Sequence, residues 1–96
     1  MTKNNEISEP HIVLNEKPIW IPRDGLTIGR SADNSLPLLE DDQLSRNHAE
    51  IVWFEGGWAI RDLGSANGTF VNGERVAQQA LKADDEIRIG RTVMVY

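Results

Sequence analysis

Turn-forming residues recur about every eight to twelve positions along this chain, and the apolar runs between them are only a few residues long. Runs of that length are too short for stable helices, but they suit strands of a sandwich or barrel. Ile12-Val13-Leu14 and Pro18-Ile19-Trp20-Ile21 predict the first two strands, and Leu26-Thr27-Ile28 a third with both large apolar residues on one face. Leu36-Pro37-Leu38-Leu39 predicts a brief strand whose proline suits a sheet edge. Ala49 to Phe54 and Trp58 to Asp62 flank Gly56-Gly57, a hairpin signal. Phe70-Val71 and Glu74-Arg75-Val76 flank Asn72-Gly73, which suits a type I′ turn. Asp85 to Ile89 and Thr92 to Tyr96 supply a last pair. Only Val76 to Ala83 has helical propensity, and it is short enough to read as a loop with at most one turn. The expected class is all-β, built mainly from antiparallel strands, with function concentrated in loops.

At 96 residues the chain makes one domain, because two cores of that size would each be marginal. Met1 to Glu9 is polar and unpatterned and is expected to be a flexible tail, leaving 10–96 as the domain. The first residues lack the basic start and apolar stretch of a secretion signal, and no run approaches a membrane span. The expected location is therefore the cytoplasm. With no cysteine, neither a disulfide nor a zinc thiolate is available. Ten Lys plus Arg against fifteen Asp plus Glu leave a formal charge of -5. That balance lacks the basic footprint of a nucleic-acid binder and disfavours anionic membranes. It does not govern one pocket, where two arginines can still hold an anion.

Three loop segments carry the polar chemistry: Gly29-Arg30-Ser31, Ser45-Arg46-Asn47-His48 and Ser65-Ala66-Asn67-Gly68-Thr69. Arg30 follows a predicted strand directly after a glycine, whose missing side chain permits tight turning or close approach. Two guanidinium forks, Arg30 and Arg46, with the Ser45 hydroxyl beside them, match the needs of a phosphate dianion. An enzyme with Ser45 as nucleophile and His48 as base is the alternative. No Gly-x-Ser-x-Gly elbow surrounds Ser45, and no acid is placed to orient His48. His11 and His48 are isolated in sequence, so no metal-ligand pattern appears and no cofactor is expected.

Gly29-Arg30, Ser45-Arg46-Asn47-His48, Asn67-Gly68-Thr69 and Asn72-Gly73, in this order and spacing, resemble the forkhead-associated (FHA) family. The resemblance runs from about Leu26 to Ile89. It implies a β-sandwich of about eleven strands, with binding loops at one end and termini at the other. It also implies a module that binds phosphothreonine on a partner, or on its own chain, after a Ser/Thr kinase has acted. Under it Arg30 resembles the principal phosphate-binding arginine, Ser45 the phosphate-binding hydroxyl and Arg46 its basic neighbour. Asn67 matches the asparagine that holds the peptide main chain, and Gly29, His48, Gly68, Thr69 and Asn72 match positions that shape the loops.

The chain departs from the family at Ala66, where many relatives carry a hydroxyl near the phosphate; either that contact is missing or Ser65 or a water replaces it. Asp84 stands where a turn glycine is usual, a change that Asp tolerates. Glu40-Asp41-Asp42 places three acids just ahead of Ser45, which predicts repulsion of acidic peptide flanks and a preference for basic ones. A scaffold with a disabled pocket, binding through its sheet faces, is the third reading that Ala66 keeps open. Self-binding through a phosphorylated Thr2 is a variant of the first. Trp20, Trp53 and Trp58 are expected in the core or on sheet faces.

Overall fold

A computed structural model describes residues 9–96 of the chain. The tail expected over Met1 to Glu9 lies, apart from Glu9, outside the described residues.

Eleven strands form among the described residues: β1 (His11–Leu14), β2 (Lys17–Trp20), β3 (Leu26–Gly29), β4 (Leu36–Pro37), β5 (Ala49–Phe54), β6 (Gly57–Asp62), β7 (Thr69–Val71), β8 (Glu74–Val76), β9 (Gln78–Ala80), β10 (Glu86–Ile89) and β11 (Thr92–Val95). They make two sheets, one ordered β2-β1-β11-β10-β7-β8 and the other β4-β3-β5-β6-β9. Pairing is antiparallel except between β3 and β4, which run parallel with Ile28 opposite Leu36. Pro37 sits on β4 at a sheet edge, where its missing N–H leaves no central ladder bond unmade.

The core lies between the sheets. Leu26, Ile28, Ile51 and Ile60 enter it from one side, and Ile12, Val71, Ile87, Ile89 and Met94 from the other. Alternation places them: along β10 the residues run exposed, buried, exposed, buried, with Ile87 and Ile89 inside. Branched side chains fit such a pleated, half-buried surface well.

Register explains one departure from expectation. Ile51 pairs with Ile60 and Ala49 with Asp62, and this register continues to Phe54 opposite Gly57. The turn is therefore Glu55-Gly56, both left-handed at φ 52° and 85°, while Gly57 starts β6. A slip of one residue would turn the core side chains of one strand outward. Asn72-Gly73 adopts φ 52° and 87°, the two left-handed residues of a type I′ turn, as the sequence predicts. Asn15-Glu16 does the same without a glycine.

The segment read as a loop over Val76 to Ala83 instead contains β9, paired to β6 through Ala59–Ala80, Ile60–Gln79 and Arg61–Gln78. Satisfying the open backbone edge of β6 outweighs weak helical propensity. Of the tryptophans, Trp58 is half-buried against the core, whereas Trp20 and Trp53 are 56% and 59% exposed on the surface. Trp53 meets Trp58 edge to face across the β5–β6 pair.

Asp84 takes φ 75° and so fills the left-handed turn position. Tyr96 exchanges backbone bonds with Asp84 and Asp85 at the β9–β10 turn. The start of β1 lies at that same end, because β1 runs antiparallel to β11 with Val13 opposite Val95. The β3–β4, β4–β5 and β6–β7 loops gather at the other end.

Candidate functional site: three loops joined by hydrogen bonds

Arg30 leaves β3 at the point where the β3–β4 and β4–β5 loops touch. Its N–H donates to the Ser45 carbonyl at 3.0 Å, and that of Ser31 to the Arg46 carbonyl at 3.2 Å. Gly29 makes this approach possible, since a Cβ there would run into the Arg46 carbonyl and lie 2.7 Å from Asn34 Nδ2. The buried Asn34 side chain donates to the Ser31 and Arg46 carbonyls at 2.9 and 2.7 Å, joining both loops. Sequence reasoning missed Asn34; the available signal was an amide in a turn-rich segment next to the arginine. Arg30 Nε donates to the Leu44 carbonyl at 3.1 Å. That single bond holds the side chain along the β4–β5 loop while leaving both Nη groups for an outside acceptor.

Ser45 connects in two directions. Its N–H donates to His48 Nδ1 at 3.1 Å, and its Oγ accepts from the Ala66 N–H at 2.9 Å. Since Oγ is an acceptor in that bond, its own proton is available to an anion. His48 is fully buried, and its Nε2 meets the Gly68 carbonyl at 2.8 Å. A backbone N–H can only donate and a carbonyl can only accept, so Nδ1 is bare and Nε2 carries the proton. The ring is thus a neutral brace between the β4–β5 and β6–β7 loops. It engages the backbone of Ser45 and not its hydroxyl, so the nucleophile-and-base arrangement is not assembled.

Asp62, at the end of β6, organises the third loop. One carboxylate oxygen accepts from the Gly64 and Ser65 N–H groups at 2.9 and 3.0 Å; the other accepts from Ser65 Oγ at 2.5 Å and buried Thr69 Oγ1 at 2.7 Å. Asp62 was read from sequence only as the end of a strand. The Ser65 hydroxyl also accepts from the Gly68 N–H at 2.9 Å. Its one proton is therefore spent on Asp62, and it does not take the place of the hydroxyl missing at Ala66. Ser65 braces the loop. Asn67 is exposed, and its Nδ2 donates to the Gln43 carbonyl at 2.7 Å, leaving the amide oxygen for a ligand. Gly68 turns the chain at φ 93°.

Not every expected residue joins this cluster. Asn72 lies at the opposite end, where Nδ2 donates to Asp85 at 2.9 Å and Oδ1 accepts from the Glu86 N–H at 2.9 Å. It pins the β7–β8 turn to β10 and does not shape the loops. Arg46 is exposed, and its side chain makes no hydrogen bond or ion pair among the described residues. The three acids ahead of Ser45 also separate. Asp41 turns inward to accept from the Gln43 N–H, the Arg91 N–H and Thr92 Oγ1, at 3.1, 2.9 and 2.6 Å. Asp42 lies 3.5 Å from Arg91 in an exposed pair. Asp41 thus ties the β4–β5 loop to the β10–β11 turn and presents little charge to solvent.

Burial opposes the charge on Asp62 and Asp41. For Asp62 it is outweighed by the Ser65 and Thr69 hydroxyls and backbone N–H groups, and for Asp41 by Thr92 and the Arg91 and Gln43 N–H groups. Both carboxyls are held below the usual aspartate value of 3.8. A depressed folded pKa contributes stability that is fully present above the unfolded value and lost as pH falls through the folded one. The loop end is therefore expected to weaken below about pH 4. Denaturant midpoints at about pH 6 and about pH 3 should differ less in Asp62→Asn than in the natural chain. An equal difference would remove Asp62 from this account.

The FHA domain family model matches residues 26–90. The oxoglutarate dehydrogenase inhibitor of Corynebacterium efficiens is 41% identical over 70 residues, covering 73% of this chain and 49% of that protein. The chain thus spans about half the length of that relative. Mycobacterium tuberculosis EmbR, solved in complex with a low-affinity phosphopeptide, superposes with a TM-score of 0.82 at 30% identity, covering 88% of this chain and 23% of that one. An FHA domain solved in work on phosphothreonine-dependent FHA interactions gives a TM-score of 0.79 at 31% identity, covering 88% and 90%. With its two sheets, its three joined loops and a family match across most of its length, this chain belongs to the forkhead-associated domain family.

Proposed function

We propose that residues 10–96 form a phosphothreonine-dependent binding domain that recruits a partner protein, or its own chain, after a Ser/Thr kinase has acted. The observation carrying this reading is that residues 43–46 bond both neighbouring loops, so that Arg30, Ser45, Arg46 and Asn67 share one end of the sandwich. A threonine phosphate brings about -1.5 to -2 charges and three acceptor oxygens. The Arg30 Nη groups, the Ser45 proton and Arg46 supply matching donors, and the Asn67 amide holds the adjoining main chain. Each hydrogen bond to a charged group contributes roughly 1.5–3 kcal/mol net. Three of them contribute roughly 4.5–9 kcal/mol before the ordering of the peptide is subtracted, so micromolar affinity, about -8 kcal/mol, also draws on the main-chain contact at Asn67.

Nothing in this arrangement requires a metal or cofactor, and binding without catalysis is the activity it supports. Among the described residues no helix is long and apolar enough to cross a membrane. The preference for threonine over serine rests on burying one methyl, worth about 0.8 kcal/mol, and on the rotamer that this methyl restricts.

Calorimetric titration with one peptide in phosphothreonine, phosphoserine and unphosphorylated forms tests the proposal. Micromolar binding of the first, weaker binding of the second and none of the third is expected. Equal binding of phosphorylated and unphosphorylated forms would instead favour a scaffold with a disabled pocket.

A further inference from the structure

Arg75 is a cation that the phosphate site does not use. It stands on β8 directly opposite Phe70 of β7, and its Nε and Cζ lie 2.7 and 3.0 Å from where a Cβ on Gly68 would be. Its side chain therefore crosses the bare backbone next to Asn67. It is exposed, and it makes no hydrogen bond or ion pair among the described residues.

Arg46, like Arg75, has no side-chain partner among the described residues, but it follows Ser45 directly and is taken up by the phosphate reading, whereas three further arginines are committed elsewhere. Arg88, on the far side of Phe70 in the same cross-strand row, stacks over that ring at 4.3 Å. Arg61 pairs with Glu50, and Arg91 with Asp42. Charge is thus divided about the loops. Exposed Glu40 and Asp42 belong to the β4–β5 loop, while Arg75 lies against the β6–β7 loop. Asn67 thus bonds the acid-bearing β4–β5 loop through Gln43, while its neighbour Gly68 carries Arg75.

We infer that Arg75 is a specificity-determining residue that accepts a carboxylate from an acidic side chain flanking the phosphothreonine. The ligand class is a phosphothreonine segment with Glu or Asp on one flank and no acid on the other. This rests on the phosphopeptide reading of the same loops. Gly68 contributes by having no side chain, since any Cβ would push the guanidinium away from Asn67. Because the pair is exposed, its gain is modest and falls with salt.

The test is a set of phosphothreonine peptides in which glutamate or glutamine occupies each flanking position in turn. They are titrated against the natural chain and against Arg75→Gln, Arg88→Gln and Arg30→Ala. On one flank, glutamate should improve affinity for the natural chain about three- to fivefold. That advantage should vanish in Arg75→Gln and persist in Arg88→Gln. It is overturned if no position favours glutamate, if the advantage survives in Arg75→Gln, or if Arg88→Gln removes it equally. Arg30→Ala reports separately on the phosphate: retained affinity there overturns the underlying reading, whatever Arg75 does.

Discussion

Arg30→Ala is expected to leave the fold intact and lower phosphopeptide affinity at least about 100-fold. The loss follows from donor geometry. Arg30 Nε is already held by the Leu44 carbonyl, which orients the fork and leaves the two Nη groups to take phosphate oxygens in parallel. Removing two charge-assisted bonds, at roughly 1.5–3 kcal/mol each, costs about 3–6 kcal/mol of binding. The fold loses little, because the side chain is exposed and contributes one hydrogen bond to it. A stability change within about 1 kcal/mol is expected. Arg30→Lys should fall between, since an ammonium keeps the charge but not the planar fork. Calorimetry on the folded variants is the check, and an unchanged affinity in Arg30→Ala would refute the assignment.

His48→Ala should give the largest loss of stability at the loop end, about 3–5 kcal/mol. The ring is fully buried and bonded at both nitrogens. Truncation strands the Ser45 N–H and the Gly68 carbonyl, each costing roughly 1–3 kcal/mol if water cannot reach it. It also leaves a cavity where the ring packed, a further cost of the same order. For a domain whose whole stability is about 5–15 kcal/mol, that is a large share. Binding should weaken as well, because Ser45 and the Ala66-Asn67 turn lose the brace between them. Equilibrium denaturation measures the first effect; a loss below about 1 kcal/mol would show that His48 does not hold the loops together.

Much of the site was legible because its residues sit where strands must turn. Arg30, Ser45 and Asn67 each stand in a polar segment between apolar runs, and loops between strands of a sandwich collect at its ends. Ser65 and Asp62 were not legible in the same way. A hydroxyl beside Ala66 looks like a spare donor until the Asp62 carboxylate is found 2.5 Å from it. The same holds for Asp41, whose partners Arg91 and Thr92 lie about fifty positions away in the chain. Such a pairing leaves no local pattern.

Alternating apolar residues and turn chemistry by themselves determined an all-β sandwich or barrel of mainly antiparallel strands, its hairpins and the three polar loops, because period and turn preference are local properties of the chain. Tertiary structure alone decided four other matters. It recruited Gln78–Ala80 as an edge strand for β6, moved the β5–β6 turn to Glu55-Gly56, and carried Asn72 away from the loops. It also laid Arg75 across Gly68. Each of these depends on which backbone edge is left open and which strand comes to lie beside another, and those pairings exist only once the sheets have formed.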